Sequence, residues 1–477
     1  MKEAYEASAT LNRKDKRSDG KEESRGQREG GNPGRNSKKT NHGSAKRGIE
    51  RQERERNPHL LLKGGYEMGK KWVGRGFITM VFMFLVSQGA YGQNAWRIGT
   101  ILPLTGPLAK NGIKNFDGVK IATDMINDAG GVLGKKVVLV SADAPDPQAA
   151  ASEANRLITN EKVTAIIGTQ ASTLSMAATV VAEKNKVFYL ENEGISGLIT
   201  SRGFKYLFRT TFDSDMMAYQ MIDFAAEVVA PKIGKKAKDL RFAFVQEDGG
   251  FGTSTGKGLT DRAKALGLNV VATEIYSAKS VDLSGMMMKL KQAKPDIIMA
   301  AQYINDSILF HRQAKELQLK TIVIGTTAGQ GNPDFAQAFG KEANGVMAGG
   351  IPSEISVERL TAQQKKDALE FVKRYKESHG GEYPNPTSFV GFAGAWILYK
   401  HILPKAGSLD PEKLREAALS LDIPPGKGVL NWGIKFAKPG EKNAGQNIYA
   451  SAGINQWQDG SLKLIYPKEI ASADPKF

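Results

Sequence analysis

Few residues in this chain are typed and spaced for covalent chemistry. Beyond the first 92 residues there are three histidines, His311, His379 and His401, and the chain has no cysteine. The histidines are far apart and lack the HExxH spacing that places two imidazoles on one metal, so each reads as a surface or helix-face residue. No thiol nucleophile exists, and no serine sits in GxSxG. The run Gly250-Phe251-Gly252-Thr253-Ser254-Thr255-Gly256-Lys257-Gly258 is outlined like a phosphate-cradling loop. It has Phe251 where that loop needs glycine and Gly258 where it needs the magnesium-binding hydroxyl, so it reads as a flexible strand-to-helix turn. Asp143/Asp146 and Asp213/Asp215 are spaced as turn and cap residues rather than as a general acid/base pair. These residues exclude the common catalytic constellations and point to a binder, with no metal and no cofactor.

The elements that would position a binding site follow from hydrophobic patterning. Apolar runs at Trp96–Leu102, Lys136–Ser141, Val163–Gly168 and Val187–Leu190 alternate with helical segments at Phe116–Asn127, Pro147–Thr159 and Thr173–Lys184. The rhythm resumes with strands at Arg241–Gln246, Asn269–Tyr276, Asp296–Ala300 and Thr321–Gly325, with helices at Gly256–Leu266, Leu283–Lys291 and Asn305–Leu317 between them. Two tail helices, Thr361–Ser378 and Ser388–Leu403, precede short β pieces near Asn447–Trp457 and Lys463–Tyr466. Strands that are apolar throughout, separated by helices, make parallel sheets covered on both faces. Two such series make an α/β protein of two doubly wound lobes. Ligands of such sheets sit beyond the carboxyl ends of the strands. The informative segments are therefore Leu102–Gly106, Gly168–Ser175, Glu191–Ser196, Glu247–Gly252, Gln302–Asp306 and Thr326–Gly331.

The amino-terminal part reads differently. Met68–Gly92 has a basic start (Lys70, Lys71, Arg75), a ten-residue apolar core Phe77–Val86, and Ala90-Tyr91-Gly92 as a small-residue cleavage site. That is the layout of a secretory signal peptide, and its core is too short to span a bilayer. Residues 1–67 carry 17 Lys and Arg against 11 Asp and Glu with no apolar periodicity, a composition expected to be disordered. Lys63-Gly64-Gly65 can be encoded as a purine-rich ribosome-binding sequence, which points to Met68 as the start and leaves 1–67 untranslated. A nucleic-acid role for that basic segment conflicts with the export signal that follows it. Without cysteine there is no disulfide and no lipidated residue after the signal. The expectation is a soluble, periplasmic, monomeric protein that binds no nucleic acid.

The strand-end residues carry a family resemblance. Ile98–Pro107 (IGTILPLTGP), Gly118–Ala122, Ile126–Gly134, Asp143–Pro147, Ile167-Gly168, Leu207–Thr210 and Phe251-Gly252 stand in an order and spacing that resemble the leucine/isoleucine/valine-binding proteins. These are type I periplasmic solute-binding proteins of ABC importers. The resemblance implies two lobes joined by three crossovers, near Asp213, Gly350 and Trp432. The lobes would be 93–213 plus 351–432 and 214–350 plus 433–477. It implies that the ligand carboxylate is gripped at Ala171-Ser172-Thr173, where Ser172 matches the family hydroxyl and also reads as a helix cap. It places the ammonium loop at Glu193 and Ile195, with Ser196 as the nearest hydroxyl, and the aromatic cover at Phe251 and Tyr303. The family's ammonium-pairing acid falls at Thr327, so Glu193 or Glu191 must replace it or the ligand has no ammonium, since an unpaired buried ammonium is costly. Both partners of the family's disulfide are replaced together, by Pro145 and Ala171. The expected function is capture of a small carboxylate-bearing ligand, an amino acid or related organic acid, for delivery to a membrane ABC permease. A sensory receptor of the same fold is the alternative. An enzyme of the doubly wound class lacks its cofactor fingerprint here.

Overall fold

The computed structural model describes residues 95–428 and 432–477. The leader expected at 68–92, the basic segment before it and the choice of start at Met68 lie outside the described residues.

The first lobe is built on a parallel sheet of five strands. Its elements are β1 (Trp96–Leu102), α1 (Ala109–Asp128), β2 (Val137–Asp143), α2 (Pro147–Thr159), β3 (Ala165–Gly168), α3 (Ser172–Lys184), β4 (Phe188–Glu191) and β5 (Leu207–Arg209). The order across the sheet is β2-β1-β3-β4-β5. Strands β3, β4 and β5 are buried at every residue, which is why they read as unbroken apolar runs.

After β5 the chain enters the second lobe through α4 (Ser214–Phe224) and β6 (Arg241–Glu247). There follow α5 (Gly250–Ala265), β7 (Asn269–Tyr276), α6 (Ser284–Ala293), β8 (Ile297–Ala301), α7 (Ile304–Glu316), β9 (Ile322–Thr326), α8 (Pro333–Phe339) and β10 (Met347–Gly350). The chain then returns to the first lobe for α9 (Ala362–Ser378), α10 (Pro386–Ile397) and α11 (Pro411–Leu419), and ends with β11 (Gly453–Gln458) and β12 (Ser461–Tyr466). The second sheet has the order β12-β11-β10-β9-β8-β6-β7. It is parallel from β7 to β10, and β11 and β12 add an antiparallel edge. In both sheets the strand order reverses beside the first strand of the series, at β1/β3 and at β6/β8, which opens a crevice beyond the strand ends.

Three local differences from the sequence reading have physical causes. Gly250–Gly258 is not a flexible turn, because α5 already starts at Gly250. The Glu247 carboxylate accepts the N–H groups of Gly249 and Gly252 at 2.5 and 2.6 Å, pinning the amino end of this glycine-rich helix. Its glycines admit close neighbours: a Cβ on Gly252 would lie 2.8 Å from the Glu247 nitrogen, and one on Gly256 would overlap the Gln246 side chain. Second, α1 begins at Ala109, about two turns before the expected start, and its Gly112 packs against the Pro103 backbone just after β1. Third, the last return to the second sheet comes later than Trp432. Residues 434–447 stay beside β5, with Gln446 bridging Arg209 and Asn447 bridging Phe436. The amides of Gln446 and Asn447 donate to the Thr211 and Thr210 carbonyls at 2.7 and 2.8 Å, and the chain joins the second sheet at Gly453.

Helix α10 matters for the site. It is buried at all of its residues and packs along α1. The two backbones nearly touch, because a Cβ on Gly118 would overlap the Ser388 carbonyl and one on Gly391 the Asn115 carbonyl. Glycine at both crossings lets Asn115 of α1 and Thr387 of α10 reach the same point at the end of β4.

Candidate functional site

A cavity opens between the two lobes at the carboxyl ends of their strands. It is lined from the first lobe by Gln170, Ser172, Glu193, Ile195 and Phe212. Met217, Phe251, Tyr303, Thr326, Thr327 and Ala328 line it from the second lobe, and Ile351 from the connection after β10. Its enclosed space is about 30 Å³, roughly the share of one water molecule, so the side chains that line it must move apart before it takes a solute. Glu193 is the one formally charged side chain in the lining; no Lys, Arg or His contributes.

Ser172 is the first residue of α3, and Ala171 is its N-cap. The expected capping role of Ser172 is therefore not what the hydroxyl does. Its Oγ accepts the Ser196 N–H at 3.1 Å, tying the β3–α3 loop to the β4 loop. A hydroxyl holds one proton and two lone pairs, so this bond leaves the Ser172 proton available to the cavity. The Ser172 and Thr173 N–H groups of α3 have no partner in the helix itself, those of Leu174 and Ser175 donate to the Ala171 carbonyl, and the helix dipole adds partial positive charge at this end. The Tyr303 hydroxyl accepts the Ser172 N–H from across the cavity. A phenol oxygen thus occupies the position at which a ligand oxygen would meet this amide.

The two acids after β4 are only two residues apart and do different work. Glu191 is fully buried and does not line the cavity. Its carboxylate accepts the N–H groups of Thr169, Glu193 and Gly194 at 2.8, 3.0 and 2.7 Å and the Ser175 hydroxyl at 2.5 Å. Burial pushes its carboxyl up, while these four donors hold the ionised form. Glu191 is a brace for both first-lobe loops. Glu193 faces the cavity and is 7 % exposed. It accepts Asn115 Nδ2 at 2.7 Å and Thr387 Oγ1 at 3.0 Å, and also the Gln170 side chain. Burial pushes its carboxyl up to about 8, against the lowering effect of these donors.

Arg209 holds the same loop from behind. It is completely buried, donates to the Gly194 and Ser196 carbonyls at 3.2 and 2.7 Å, and is anchored by Gln446 Oε1 at 2.6 Å. The Ser196 hydroxyl accepts the Leu198 N–H and caps the short helix Gly197–Thr200, so it is not the hydroxyl that turns into the cavity.

The second lobe contributes cover. Phe251 and Tyr303 lie with ring centroids 5.0 Å apart. Thr327 Oγ1 accepts the Ile351 N–H at 3.2 Å, and the Thr326 hydroxyl donates to the Gln302 carbonyl at 2.7 Å. Neither threonine offers a charge. Both rims of the cavity are bridged. On one, Asn111 donates to the Ala328 carbonyl at 3.1 Å, Asn332 donates to Asn111, Asn305 donates to the Pro107 carbonyl at 3.0 Å, and Lys110 pairs with Asp334. On the other, the Gly197 N–H donates to Ser254 Oγ at 3.0 Å. The lobes are in a closed arrangement.

Of the residues expected from the sequence, Ser172, Glu193, Ile195, Phe251, Tyr303 and Thr327 come together around the cavity. Ala171, Thr173 and Ser196 stand beside it without lining it. The strand-end rule also covered Gln170, Thr326 and Ala328 as parts of segments, without singling them out. Asn115, Thr387, Phe212 and Met217 were missed, since they come from helices and connections outside those segments. The histidines and acid pairs serve the fold. His311, on a face of α7, is half-buried against Phe310, Phe335 and Phe339, and desolvation lowers it to about 4. Asp146 and Asp213 cap α2 and α4.

A fold of this order, closed over a cavity at the strand ends, is shared with known proteins. The family model described as periplasmic binding protein matches residues 95–449. The chain belongs to the periplasmic binding proteins, in their leucine/isoleucine/valine-binding group. It is 34% identical over 382 residues to "Leu/Ile/Val-binding protein homolog 8" of Brucella melitensis, covering 80% of this chain and 93% of that one. It is 33% identical to homolog 7 of Brucella suis over 379 residues, covering 79% and 93%. Among solved structures, the leucine-binding protein LivK of Thermotoga maritima superposes with a TM-score of 0.66 at 26% identity, covering 77% of this chain and 97% of that one. A solute-binding protein of an ABC transporter from Rhodopseudomonas palustris, solved with 3,4-dihydroxybenzoic acid, superposes with a TM-score of 0.64 at 24% identity, covering 78% and 95%. At family level these are solute-binding proteins and not enzymes. Among the described residues no helix is long and apolar enough to cross a membrane.

Proposed function

We propose that this periplasmic binding protein is exported and captures a small carboxylate-bearing solute between its lobes for delivery to an ABC permease. The observation that carries the reading is the first turn of α3 at the cavity, with the unspent Ser172 hydroxyl proton beside first-turn amides. Such a cluster of donors at a helix amino end suits an anion and needs no cationic side chain. The ligand carboxylate would displace the Tyr303 hydroxyl from the Ser172 N–H, and the Phe251 and Tyr303 rings would then cover the ligand. In this reading the first lobe is 93–213 plus 351 to about 450, and the second is the remainder. Ligand binds the first lobe, and closure builds the surface that the permease recognises. A soluble periplasmic monomer is the form that this role requires.

The test is a thermal-shift screen of the purified protein, unfolded and refolded to strip bound solute, against amino acids and against aliphatic and aromatic carboxylates. A ligand present at about 100 times its Kd stabilises by about 2.7 kcal/mol. At least one carboxylate-bearing compound should raise the melting temperature, and Ser172→Ala should weaken that compound several-fold by calorimetry. A panel in which only compounds without a carboxylate act, or none does, overturns the reading.

A further inference from the structure

We infer that Asp306 and Tyr276, neither of which lines the cavity, are positioning residues that hold Tyr303 over it through a hydrogen-bonded chain one layer beneath the site. This rests on the proposed role of Tyr303 as cover for a bound solute and names what keeps that cover in place.

Tyr303 is the N-cap of α7, and its side chain makes no capping bond. Its backbone is held instead by Asp306 in the first turn, whose carboxylate accepts the Tyr303 N–H as well as its own. A first-turn acid reaching back to the N–H of the cap residue is the second half of a capping box. The same carboxylate accepts the hydroxyl of Tyr276, the last residue of β7. Burial, with the Asp306 charge adding to it, pushes the Tyr276 hydroxyl far above its ordinary value, so it keeps the proton that it donates.

The chain continues from Tyr276 to the far side of the site. The Tyr276 oxygen accepts Gln302 Nε2 at 3.2 Å, Gln302 Oε1 accepts Gln330 Nε2 at 2.7 Å, and Gln330 Oε1 accepts the Thr326 N–H at 3.1 Å. Each amide is used at both ends, so turning either one round would set donor against donor. A carboxylate, which only accepts, ends the series and fixes its direction. Asp306, Tyr276, Gln302 and Gln330 are all buried, and a Cβ on Gly325 would lie 2.0 Å from the Gln330 side chain. Apolar side chains would fill this layer without the cost of desolvating polar groups; a fully bonded polar chain adds a single fixed orientation. One end of the chain is the Tyr303 backbone and the other is Thr326, and both residues line the cavity. Asp306 thus does for the second lobe what Glu191 does for the loops of the first.

The test labels the tyrosines of the full chain at Cζ with the NMR-active carbon isotope and reads the Tyr303 ring without added solute. The Tyr303 signal is identified by its loss in Tyr303→Phe. Wild type should give one narrow Tyr303 signal. Tyr276→Phe keeps the ring and removes the hydroxyl, so the Tyr303 signal should split or broaden. Tyr399→Phe is the control: it removes a buried hydroxyl paired with Thr123 in the first lobe and should leave the Tyr303 signal narrow. Asp306→Asn keeps the shape and replaces one acceptor oxygen by a donor. It should broaden the same signal and supplies the result should Tyr276→Phe fail to fold. A single narrow Tyr303 signal in the folded variants of the pair overturns the positioning, and so does equal broadening in Tyr399→Phe. Calorimetry with leucine and with benzoate adds a readout on binding. Whichever of them binds wild type should bind Tyr276→Phe at least about fivefold more weakly, and adding Tyr276→Phe to Tyr303→Ala should cost less than about twofold more. Equal losses in the two backgrounds overturn the positioning. Where neither compound binds, the Tyr303 signal alone decides the positioning, and the carboxylate reading stands or falls by its own screen.

Discussion

Glu191→Ala should be among the most destabilising single changes in the first lobe, and its cost can be worked from the bonds it removes. The substitution leaves the Thr169, Glu193 and Gly194 N–H groups without their acceptor in a fully buried place. Each buried N–H left unpaired costs roughly 1–3 kcal/mol. Partial repair by entering water argues for the lower half of that range, so three such groups amount to about 3–6 kcal/mol. The Ser175 hydroxyl adds little, since it can turn to the Ala171 carbonyl 3.0 Å away. Glu193→Ala is the internal control. Its donors are side chains that can rotate, and its cavity admits water, so its cost should stay below about 2 kcal/mol. Equilibrium urea unfolding of the two variants beside wild type measures both. The expected order is a large loss for Glu191→Ala and a small one for Glu193→Ala. A Glu191→Ala loss below about 1 kcal/mol, or smaller than that of Glu193→Ala, would refute the division of the two acids into a structural brace and a cavity-facing acid.

If the ligand presents an ammonium to Glu193, its affinity should rise with pH between 6 and 8, approaching tenfold per unit at the acid end. Burial holds empty Glu193 protonated up to about 8, and an ammonium binds its ionised form, so binding releases a proton. Glu191, Asn115, Thr387, Gln170 and Tyr303 face Glu193 from the surrounding elements, and the cavity lining holds no cationic side chain. Calorimetry in buffers of different ionisation enthalpy reads the proton, and a pH-independent affinity would contradict the account. For the empty protein the sign reverses. Between the ordinary value of 4.5 and about 8 the folded chain keeps a proton that the unfolded chain has lost, so stability falls across that window as pH rises, and Glu193→Gln should flatten the slope. Gly118→Val should drive α10 off α1, withdraw Thr387 from Glu193 and lower both stability and affinity. Near-wild-type unfolding of that variant would show that the helices do not need their close approach. Asn111→Ala removes a hydrogen bond from Asn111 to the Ala328 carbonyl and one from Asn332 to Asn111. Ligand release should speed several-fold while the association rate changes little, as stopped-flow fluorescence would report.

Much of the architecture was legible in the sequence because burial writes itself into composition. Strands covered on both faces must be apolar throughout, and this placed β1, β3, β4, β6 and β8 within a residue or two. β5 and β10 escaped notice: β5 is three residues long and β10 (Met347–Gly350) ends in two glycines, so neither makes an unbroken apolar run. The start of α5 at Gly250 was hidden because its glycines look like a turn. The Glu247 carboxylate takes the first amides of this helix, and a Cβ on Gly252 would meet Glu247 backbone while one on Gly256 would meet the Gln246 side chain.

The site divides in the same way. Sequence patterning placed the candidate residues after the strands, and the family resemblance pointed to Phe251, Tyr303 and Thr327; Ser172, expected as a cap, is instead the first residue of α3. Patterning left Glu191 and Glu193 as equals, since both are acids in one loop and local pattern does not record where a side chain points. Tertiary structure separated them. Strand β4 ends at Glu191 and the chain bends through Asn192 and Glu193, so the Glu191 carboxylate meets the amides of its own loops while Glu193 turns to the cavity. Two glycine crossings let α1 and α10 bring Asn115 and Thr387, nearly two hundred residues apart from Glu193 in the latter case, onto the other carboxylate. Hydrogen-bond saturation of one acid and incomplete saturation of its neighbour are properties of packing in three dimensions, and they decide which acid faces the cavity.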